Sequence, residues 1–251
     1  MARRVKTIIC VSDLQAPQHS QAHVDALANF IKATQPDKVA SVGDEADFTG
    51  ISRWAAGTPL QYETNLHKER ETTIAVLKQL GVTDMVRSNH TDRLFNTIKM
   101  RVPEFRHLPE LDLANFLRLP ELNITYHRQP AEIAPGWILA HGDEGNLSQQ
   151  GGMTALNLAR RFGKSVVCGH THRMGLTHHT EAVNGTPTRV LYGLEVGNMM
   201  NMRKATYLKG GYGNWHQGFG ILYVDGKHVT PSLIPMMPDG SFIVNGKRWT
   251  R

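Results

Sequence analysis

Side chains that can bind metal ions recur in this chain directly after short apolar runs. Five polar clusters follow such runs, and each contains aspartate, glutamine, asparagine or histidine. The clusters occupy residues 12–15, 43–47, 88–90, 141–143 and 169–172. Histidine is the commonest metal ligand in proteins and titrates near neutral pH, so its placement in three of these clusters predicts a site of chemistry.

The candidate donor atoms are of three kinds: carboxylate oxygens, neutral amide oxygens and imidazole nitrogens. In chain order the donors are Asp13, Gln15, Asp44, Asn89, His141, His170 and His172. These are more ligands than one ion can use, but they suit two ions that share a bridging carboxylate. Two ions about 3.5–4 Å apart can bind both the attacking and the leaving oxygen of a phosphoryl group. The pattern therefore predicts a dinuclear site for phosphoryl chemistry.

The apolar runs before the clusters predict the strands that position them. They span residues 7–11, 38–42, 84–87, 137–140 and 165–168, and near-continuous apolar runs are typical of strands buried on both faces. Amphipathic patterns between them predict helices after Ser20 and before Pro36, over 66–80, from Leu94 to Pro103, and over 113–117 and 156–162. Alternating strands and helices indicate an α/β fold, in which sites lie beyond the carboxyl ends of the strands.

The last third of the chain has a different pattern. Residues 221–234 contain Asp225-Gly226 between two apolar runs, and the run Ser241-Phe242-Ile243-Val244 is followed by Asn245-Gly246, so each segment predicts a β-hairpin. Another strand is predicted over 189–192. No linker separates this region, so we expect one domain over residues 1–251, in which about 185–251 contribute a mainly antiparallel second sheet packed on the first.

Net charge, cysteine count and the length of the apolar runs bear on the partners and the compartment of the protein. The 251 residues carry a formal net charge of +6, which is compatible with a polyanionic partner but does not require one. Two cysteines, Cys10 and Cys168, predict buried thiols rather than a disulfide framework. No apolar run approaches the roughly 18 residues of a membrane-spanning helix, and no signal peptide is recognised, so we expect a cytoplasmic protein without membrane partners.

The ordered clusters resemble the motifs of the calcineurin-like metallophosphoesterase superfamily, D-x-H, G-D-x-x-D, G-N-H-E/D, H and G-H-x-H. In this chain they read Asp13-Leu14-Gln15, Gly43-Asp44-Glu45-Ala46-Asp47, Ser88-Asn89-His90, His141 and Gly169-His170-Thr171-His172. The resemblance covers residues 13–172, and the residues at the motif positions look most like those of small phosphoesterases encoded by phages and bacteria. It implies an α/β fold of two packed mixed β-sheets flanked by helices, a four-layer sandwich.

The resemblance also implies a role for each motif residue. The first metal site would use Asp13, Gln15, Asp44 and His172, and the second would use Asp44, Asn89, His141 and His170. His90 would be the acid/base histidine, Asp47 the carboxylate that orients it, and Arg87 an arginine that binds phosphoryl oxygens. A hydroxide bridging two divalent ions would attack the phosphorus in line while His90 protonates the departing alkoxide.

Three positions depart from the family pattern. Gln15 replaces a histidine with a harder oxygen ligand, which favours Mn²⁺, with Mg²⁺, Ca²⁺, Fe²⁺, Ni²⁺ and Zn²⁺ as other candidates. Ser88 replaces a glycine, and Thr91 follows His90 where an acid is frequent. Gln15 also leaves open a catalytically weakened member of the fold that serves as a binding or scaffold protein.

Two further segments bear on the substrate. Arg53 and Trp54 follow the second cluster within residues 48–62. Residues 198–218 contain Arg203, Lys204, Tyr207, Lys209, Tyr212, Trp215 and His216 among glycines. Basic side chains interleaved with aromatic ones can pair with phosphates and stack on bases, although a glycine-rich loop anchored in the core would have the same composition.

The working hypothesis is a dinuclear metal-dependent phosphodiesterase acting on nucleotides, cyclic nucleotides or nucleic acid. The alternatives are a phosphomonoesterase of the protein-phosphatase kind, a nuclease for structured DNA or RNA, and the scaffold protein. The sequence leaves the physiological substrate, the native metal pair and the oligomeric state open.

Overall fold

The computed structural model describes residues 4–205 and 213–251 and shows an α/β fold built on two large mixed β-sheets. The strands are β1 (Lys6–Val11), β2 (Lys38–Ser41), β3 (Asp84–Val86), β4 (Thr125–His127), β5 (Ala131–Ala134), β6 (Trp137–Leu139), β7 (Ser165–Cys168), β8 (Met174–Val183), β9 (Thr186–Val196), β10 (Gly218–Asp225), β11 (His228–Pro235), β12 (Phe242–Val244) and β13 (Lys247–Trp249). The helices are α1 (Gln21–Thr34), α2 (Pro59–Glu63), α3 (Leu66–Leu80), α4 (Asp92–Arg101), α5 (Leu113–Phe116) and α6 (Met153–Phe162).

Each large sheet combines parallel and antiparallel strands. The first sheet runs β11-β10-β1-β2-β3-β4, in which β1 to β4 are parallel and β10 is antiparallel to both of its neighbours. The second runs β5-β6-β7-β9-β8, in which β6, β7 and β9 are parallel while β5 and β8 are antiparallel edges. The predicted fold class, two mixed sheets flanked by helices, is confirmed.

The prediction that residues 185–251 contribute a mainly antiparallel second sheet is wrong for most of that segment. Strand β10 pairs with β1, from Lys6 opposite Val224 to Cys10 opposite Gly220, so the hairpin β10–β11 extends the first sheet. Among the described residues of this segment, β9 alone joins the second sheet, and β12–β13 form a separate hairpin. The physical reason is that β1 ends the parallel part of the first sheet, and β10 supplies partners for the backbone groups along its free edge.

Side chains on both faces of the first sheet are buried, which explains its continuous apolar strands. Ile8 of β1 joins a cluster between the sheets that also contains Leu139 and Val167, whereas Ile9 packs in the cluster formed with α1 and α3. Helix α6 covers the outer face of the second sheet. The result is four layers, in the order helices, sheet, sheet and helix.

The predicted helices form close to their predicted limits. Helix α3 occupies the predicted range 66–80; the side chain of Asn65 accepts from the backbone N–H of Lys68 at its start, and Gly81 takes a φ of 60° at its end. That left-handed conformation suits glycine, because a side chain would be strained there. Helix α6 begins three residues earlier than predicted, at Met153.

Both cysteines are buried and free, in agreement with the sequence, and burial raises the pKa of the Cys10 thiol to about 12. Among the described residues, no helix is both long and apolar enough to cross a membrane.

Four aromatic rings join the C-terminal hairpin to α1 and β10. The ring of Phe30 lies 5.0 Å from that of Trp249 and 5.5 Å from that of Phe242, and Phe242 lies 5.0 Å from Phe219. We predict that Phe242→Ala lowers the free energy of unfolding by about 3–5 kcal/mol, measured by urea denaturation, because a fully buried ring is replaced by a cavity.

The matched control is Ile243→Ala, because Ile243 neighbours Phe242 in the same strand but is 53% exposed. We expect a much smaller loss for that variant. Equal losses of unfolding free energy in the two variants would show that the aromatic cluster contributes no more to stability than the exposed surface of the hairpin does.

Candidate metal centre

The predicted ligands lie where the strands β1, β2, β3, β6 and β7 end, and contacts across the two sheets bring them together. Asp44, His141 and His170 form a group whose candidate ligand atoms all lie within 4.8 Å of one another. Nε2 of His141 lies 2.8 Å from Oδ1 of Asn89 and 3.1 Å from Nδ1 of His170. Four predicted ligands from four different strand ends therefore face one small volume.

The remaining three predicted ligands form a second group beside the first. Nε2 of His172 lies 3.0 Å from Oδ1 of Asp13 and 3.1 Å from the amide nitrogen of Gln15. Ligation through the Gln15 oxygen requires its amide to turn over. The backbone N–H of His170 donates to Oδ2 of Asp13 at 3.0 Å, which links the two groups.

Five of these seven residues have a backbone conformation that side chains rarely adopt. The φ angles of Asp13, Gln15, Asp44, His170 and His172 are 50°, 47°, 57°, 65° and 58°. Left-handed conformations of residues other than glycine are uncommon, and they cluster at functional sites where the surrounding structure enforces them. This observation is independent of the sequence motif and indicates a site at the same five positions.

The electrostatics favour bound cations. Asp13 and Asp44 are 0% and 1% exposed, and burial opposes their ionisation. The neighbouring imidazoles outweigh burial: His172 lowers the pKa of Asp13, and His141 and His90 hold that of Asp44 well below its usual range. Two buried carboxylates therefore stay charged at neutral pH.

The donor set fits divalent cations. The Oδ1 atom of Asp13 is buried and accepts no hydrogen bond, and Nε2 of His172 lies 3.0 Å from it. The two atoms are therefore close enough together to bind one ion. His141 donates from Nδ1 to the carbonyl oxygen of Val42 at 2.8 Å, which directs Nε2 towards Asp44 and Asn89. Such a hydrogen bond behind a histidine is the usual support of a metal ligand.

His90 and Asp47 lie together at the edge of this centre. Nδ1 of His90 is 3.2 Å from Oδ1 of Asp47, and its Nε2 is 3.7 Å from Oδ2 of Asp44. The ring therefore lies between the carboxylate expected to orient it and the metal ligands. The roles of the two residues as acid and orienting group stay predictions.

Two arginines lie near His90, and their contacts differ. Arg87 donates to Asp143 at 2.7 Å and to Asp92 at 2.9 and 2.7 Å, so its guanidinium is bound to two carboxylates. The role of Arg87 in binding phosphoryl oxygens stays a prediction. Arg93, which the sequence interpretation missed, donates to Nε2 of His90 at 2.8 Å and to the backbone oxygen of Asp47 at 2.5 Å. Its position three residues after His90, at the start of α4, was the available signal.

Glu195 is a second residue that the sequence interpretation missed. It is fully buried in β9, where Oε1 accepts from the backbone N–H groups of Thr154 and Ala155 at the start of α6. Its Oε2 accepts from the Thr171 hydroxyl at 2.6 Å, between the two ligands of the last motif. A charged residue inside the apolar run Leu194-Glu195-Val196 was the signal in the sequence.

Comparison with known proteins gives two close relatives. No known protein-family profile matches the chain. The Gene 54 proteins of Mycobacterium phages D29 and L5 are each 36% identical to it over 253 residues, covering 97% of the chain and 98% of the relative. The chain belongs to this family of phage Gene 54 proteins.

Solved structures similar to this Gene 54 family member are more distant. Vacuolar Protein Sorting 29 from Cryptosporidium parvum has a TM-score of 0.49 at 13% identity and covers 99% of this chain and 97% of its own. A metallophosphoesterase from Sphaerobacter thermophilus has a TM-score of 0.46 at 16% identity, with coverages of 91% and 87%. A predicted phosphoesterase from Streptococcus pneumoniae has a TM-score of 0.41 at 14% identity and covers both chains fully.

The fold and the converging motifs agree with the resemblance stated from the sequence. Two mixed sheets flanked by helices carry the clusters at their strand ends, and the clusters lie in contact with one another. The observed architecture, two mixed sheets flanked by helices, is therefore the one that this resemblance implies for a member of the Gene 54 family.

We predict that Glu195→Ala lowers the free energy of unfolding by at least about 2 kcal/mol, because it leaves two buried backbone donors and the Thr171 hydroxyl without their acceptor. The same variant should retain less metal after gel filtration, because the turn that carries His170 and His172 loses its support. Urea denaturation and metal analysis measure the two effects.

Glu181→Ala is the control. Glu181 lies in the neighbouring strand β8 and pairs with Arg189 at the surface, so its loss should change stability and metal content little. If both variants behave alike, Glu195 does not support the turn.

Proposed function

We propose that this protein is a phosphodiesterase that depends on two divalent metal ions and acts on nucleotide or nucleic-acid phosphodiesters. The proposal rests on one observation: the seven predicted ligands lie close together at one end of the two sheets, and five of them have left-handed backbone conformations. Structures rarely enforce several such conformations without a functional reason.

Asp13, Gln15, Asp44 and His172 would hold one ion, and Asp44, Asn89, His141 and His170 the other. When bound, such ions supply Lewis acidity towards a phosphoryl oxygen and lower the pKa of coordinated water. Asp44 is the natural shared ligand, because its Oδ1 lies 3.4 Å from Nε2 of His141 while its charge acts on Asp13 as well. The amide of Gln15 replaces an imidazole by a harder oxygen donor, which supports Mn²⁺ as the preferred metal.

The chain's own residues would bind the phosphoryl group and move the proton. Nε2 of His90 faces Asp44 and accepts from Arg93; once the ring is protonated and Arg93 turns to the substrate, Nε2 can donate to a departing oxygen. Oδ1 of Asp47 lies 3.2 Å from Nδ1 on the opposite side of the ring, close enough for its charge to stabilise the imidazolium. The guanidinium of Arg93 lies beside His90, which supports Arg93 as the group that binds phosphoryl oxygens, whereas Arg87 is held by Asp92 and Asp143.

A diester is favoured because the site has room and positive charge for a second substituent. A cavity of about 510 Å³ adjoins Asn89, and Arg53, Arg93 and Arg101 line it together with Trp54. Of the other predicted substrate loop, Tyr207, Lys209 and Tyr212 lie outside the described residues. Its described part includes the ring of Trp215, 4.5 Å from that of His172.

The state of the two cysteines supports a cellular compartment for the protein. Cys10 and Cys168 are both free and buried, which fits a reducing environment, and the proposal therefore places the protein in the cytoplasm.

The first test is steady-state hydrolysis of bis-(p-nitrophenyl) phosphate and p-nitrophenyl phosphate by chelator-stripped protein supplied separately with Mn²⁺, Mg²⁺, Ca²⁺ and Zn²⁺. We expect no turnover without metal and restored turnover of the diester in preference to the monoester, with Mn²⁺ the most effective ion. Asp44→Ala is the control, because loss of the shared ligand should remove both ions together.

Preference for the monoester would replace the proposal by a phosphomonoesterase. Absence of turnover with every metal would point to a binding or scaffold protein, and two tightly bound ions in Asp44→Ala would contradict the assignment of ligands.

We further predict that His90→Ala reduces turnover by about 10²–10⁴-fold for diesters with poor leaving groups, the range of general acid catalysis, and much less for nitrophenyl esters. The reason is that an alkoxide needs a proton as it departs, whereas nitrophenolate does not. The measurement is kcat for a series of esters with leaving groups of increasing pKa.

Metal content is the control for this variant, since His90 is not a predicted ligand and both ions should remain bound. An equal loss of turnover for all leaving groups would assign His90 to binding rather than to proton transfer.

A further inference from the structure

The cavity beside Asn89 lies between the segment 51–54 and helix α4. Arg93, Asn96, Thr97, Met100 and Arg101 line one wall, and their spacing in sequence places them along a single face of the helix. The core face of the same helix is formed separately by Leu94 and Ile98, which are buried. Helix α4 therefore packs against the core with one face and presents a polar, cationic face to the cavity.

The opposite wall is held against the helix by a defined contact. The Thr97 hydroxyl donates to the carbonyl oxygen of Ile51 at 2.8 Å, which fixes the segment that carries Arg53 and Trp54. The guanidinium of Arg53 lies over the Trp54 ring, 4.6 Å from its centroid. The Trp54 side chain is nevertheless 73% exposed, so one face of a large aromatic ring is left open to a ligand.

The charge of the cavity is positive and only partly compensated. Among the described residues, three arginines and no carboxylate line the cavity, and of these arginines only Arg93 lies near a carboxylate, 3.4 Å from Oδ1 of Asp47. Within residues 4–205 and 213–251, neither Arg53 nor Arg101 forms an ion pair. Arginines without carboxylate partners beside an exposed tryptophan form the combination that binds phosphate and stacks on a base.

The length of the cavity favours a strand over a single nucleotide. Arg93 and Arg101 are eight residues apart on α4, which is about 12 Å along a helix. Phosphates of a stacked strand recur about every 3.4 Å and are farther apart in an extended strand, so that distance spans more than one nucleotide. A cyclic mononucleotide at the metal centre would leave the end of the cavity at Arg101 unused.

We propose that this cavity binds the nucleotides that flank the scissile phosphate of a single-stranded oligonucleotide, with a base stacked on Trp54 and a flanking phosphate paired with Arg101. This inference rests on the proposed phosphodiesterase function and names its substrate class. Arg93, in contact with His90, lies at the end of the cavity nearest the metal ligands, so the bound strand would continue from the leaving-group side of the reaction.

The test measures binding separately from turnover. A fluorescein-labelled oligothymidylate of about eight nucleotides, with phosphorothioate linkages that slow hydrolysis, is titrated with metal-loaded protein while anisotropy is recorded at several salt concentrations. We expect Trp54→Ala to weaken binding by at least about fivefold, the lower end of base–aromatic stacking. Arg101→Gln should make the negative slope of log association constant against log salt concentration shallower by about 0.7, the value for one lost phosphate contact on a single strand.

Arg160→Gln is the matched control, because Arg160 is also an exposed arginine in the last turn of a helix, α6, and does not line the cavity. It should change neither quantity. In parallel, Trp54→Ala should lower the ratio of kcat/KM on an unmodified oligothymidylate to kcat/KM on bis-(p-nitrophenyl) phosphate.

The outcomes separate this inference from the proposed function. Wild-type affinity in both cavity variants, equal effects of Arg101→Gln and Arg160→Gln, or tighter binding of a phosphoserine peptide than of the oligonucleotide would overturn the inference even if nitrophenyl turnover is intact. Expected binding effects without any metal-restored turnover would uphold the cavity as an oligonucleotide site and overturn the phosphodiesterase.

Discussion

The burial of two carboxylates at the junction of the two sheets is the constraint on which the rest of the structure depends. Asp13 and Asp44 are almost completely removed from solvent, and a buried charge is costly unless it is paired. The partners come from the other sheet: His172 faces Asp13, and His141 faces Asp44. The sheets must therefore pack in a register that places the ends of β1 and β2 against those of β6 and β7. Bound cations would take over this compensation, because they would pair with the same two carboxylates while the histidines served as neutral ligands.

The strained backbone at the site is stable because the strands before it are fixed on both faces. Residues of β1 pack towards the second sheet and towards the helices alternately, so the turn that follows the strand has little freedom to relax. Backbone hydrogen bonds continue this support into the turn: Gln15 donates to the carbonyl oxygen of Asp44 at 2.8 Å. On the other sheet, Glu195 holds Thr171 between two histidines. Left-handed conformations that cost of order 1–3 kcal/mol each are enforced by backbone hydrogen bonds and by side chains, such as that of Glu195, that are not predicted ligands.

The parts of the fold and site that could be predicted from the sequence are those encoded locally. An apolar run followed by polar residues specifies both a buried strand and the side chains at its end, which is why β1, β2, β3, β6 and β7 were predicted together with the ligands that follow them. The partner of β1 depends on which distant hairpin meets its free edge, and no local pattern distinguishes β10 from a strand of the second sheet. Glu195 was missed for the same reason, since its role depends on a contact with Thr171, 24 residues away in the chain. Arg93 was missed although His90 is only three residues away, because the spacing alone does not show which way its side chain turns.

At Gln15 the backbone sets the direction of the side chain, whereas the residue type sets its donor atom. Its left-handed φ of 47° and its hydrogen bond to Asp44 direct the side chain towards His172 whatever that side chain is. A histidine in this conformation would offer a nitrogen, whereas the glutamine offers a neutral, harder oxygen from the same position in the chain. Under the proposed ligand assignment, the substitution would change which ion the first site prefers while the turn that forms the site is retained. Burial of Gln15 to 4% exposure supports this interpretation, because an amide that had lost its role as a ligand would be more stable in water than beside a buried carboxylate.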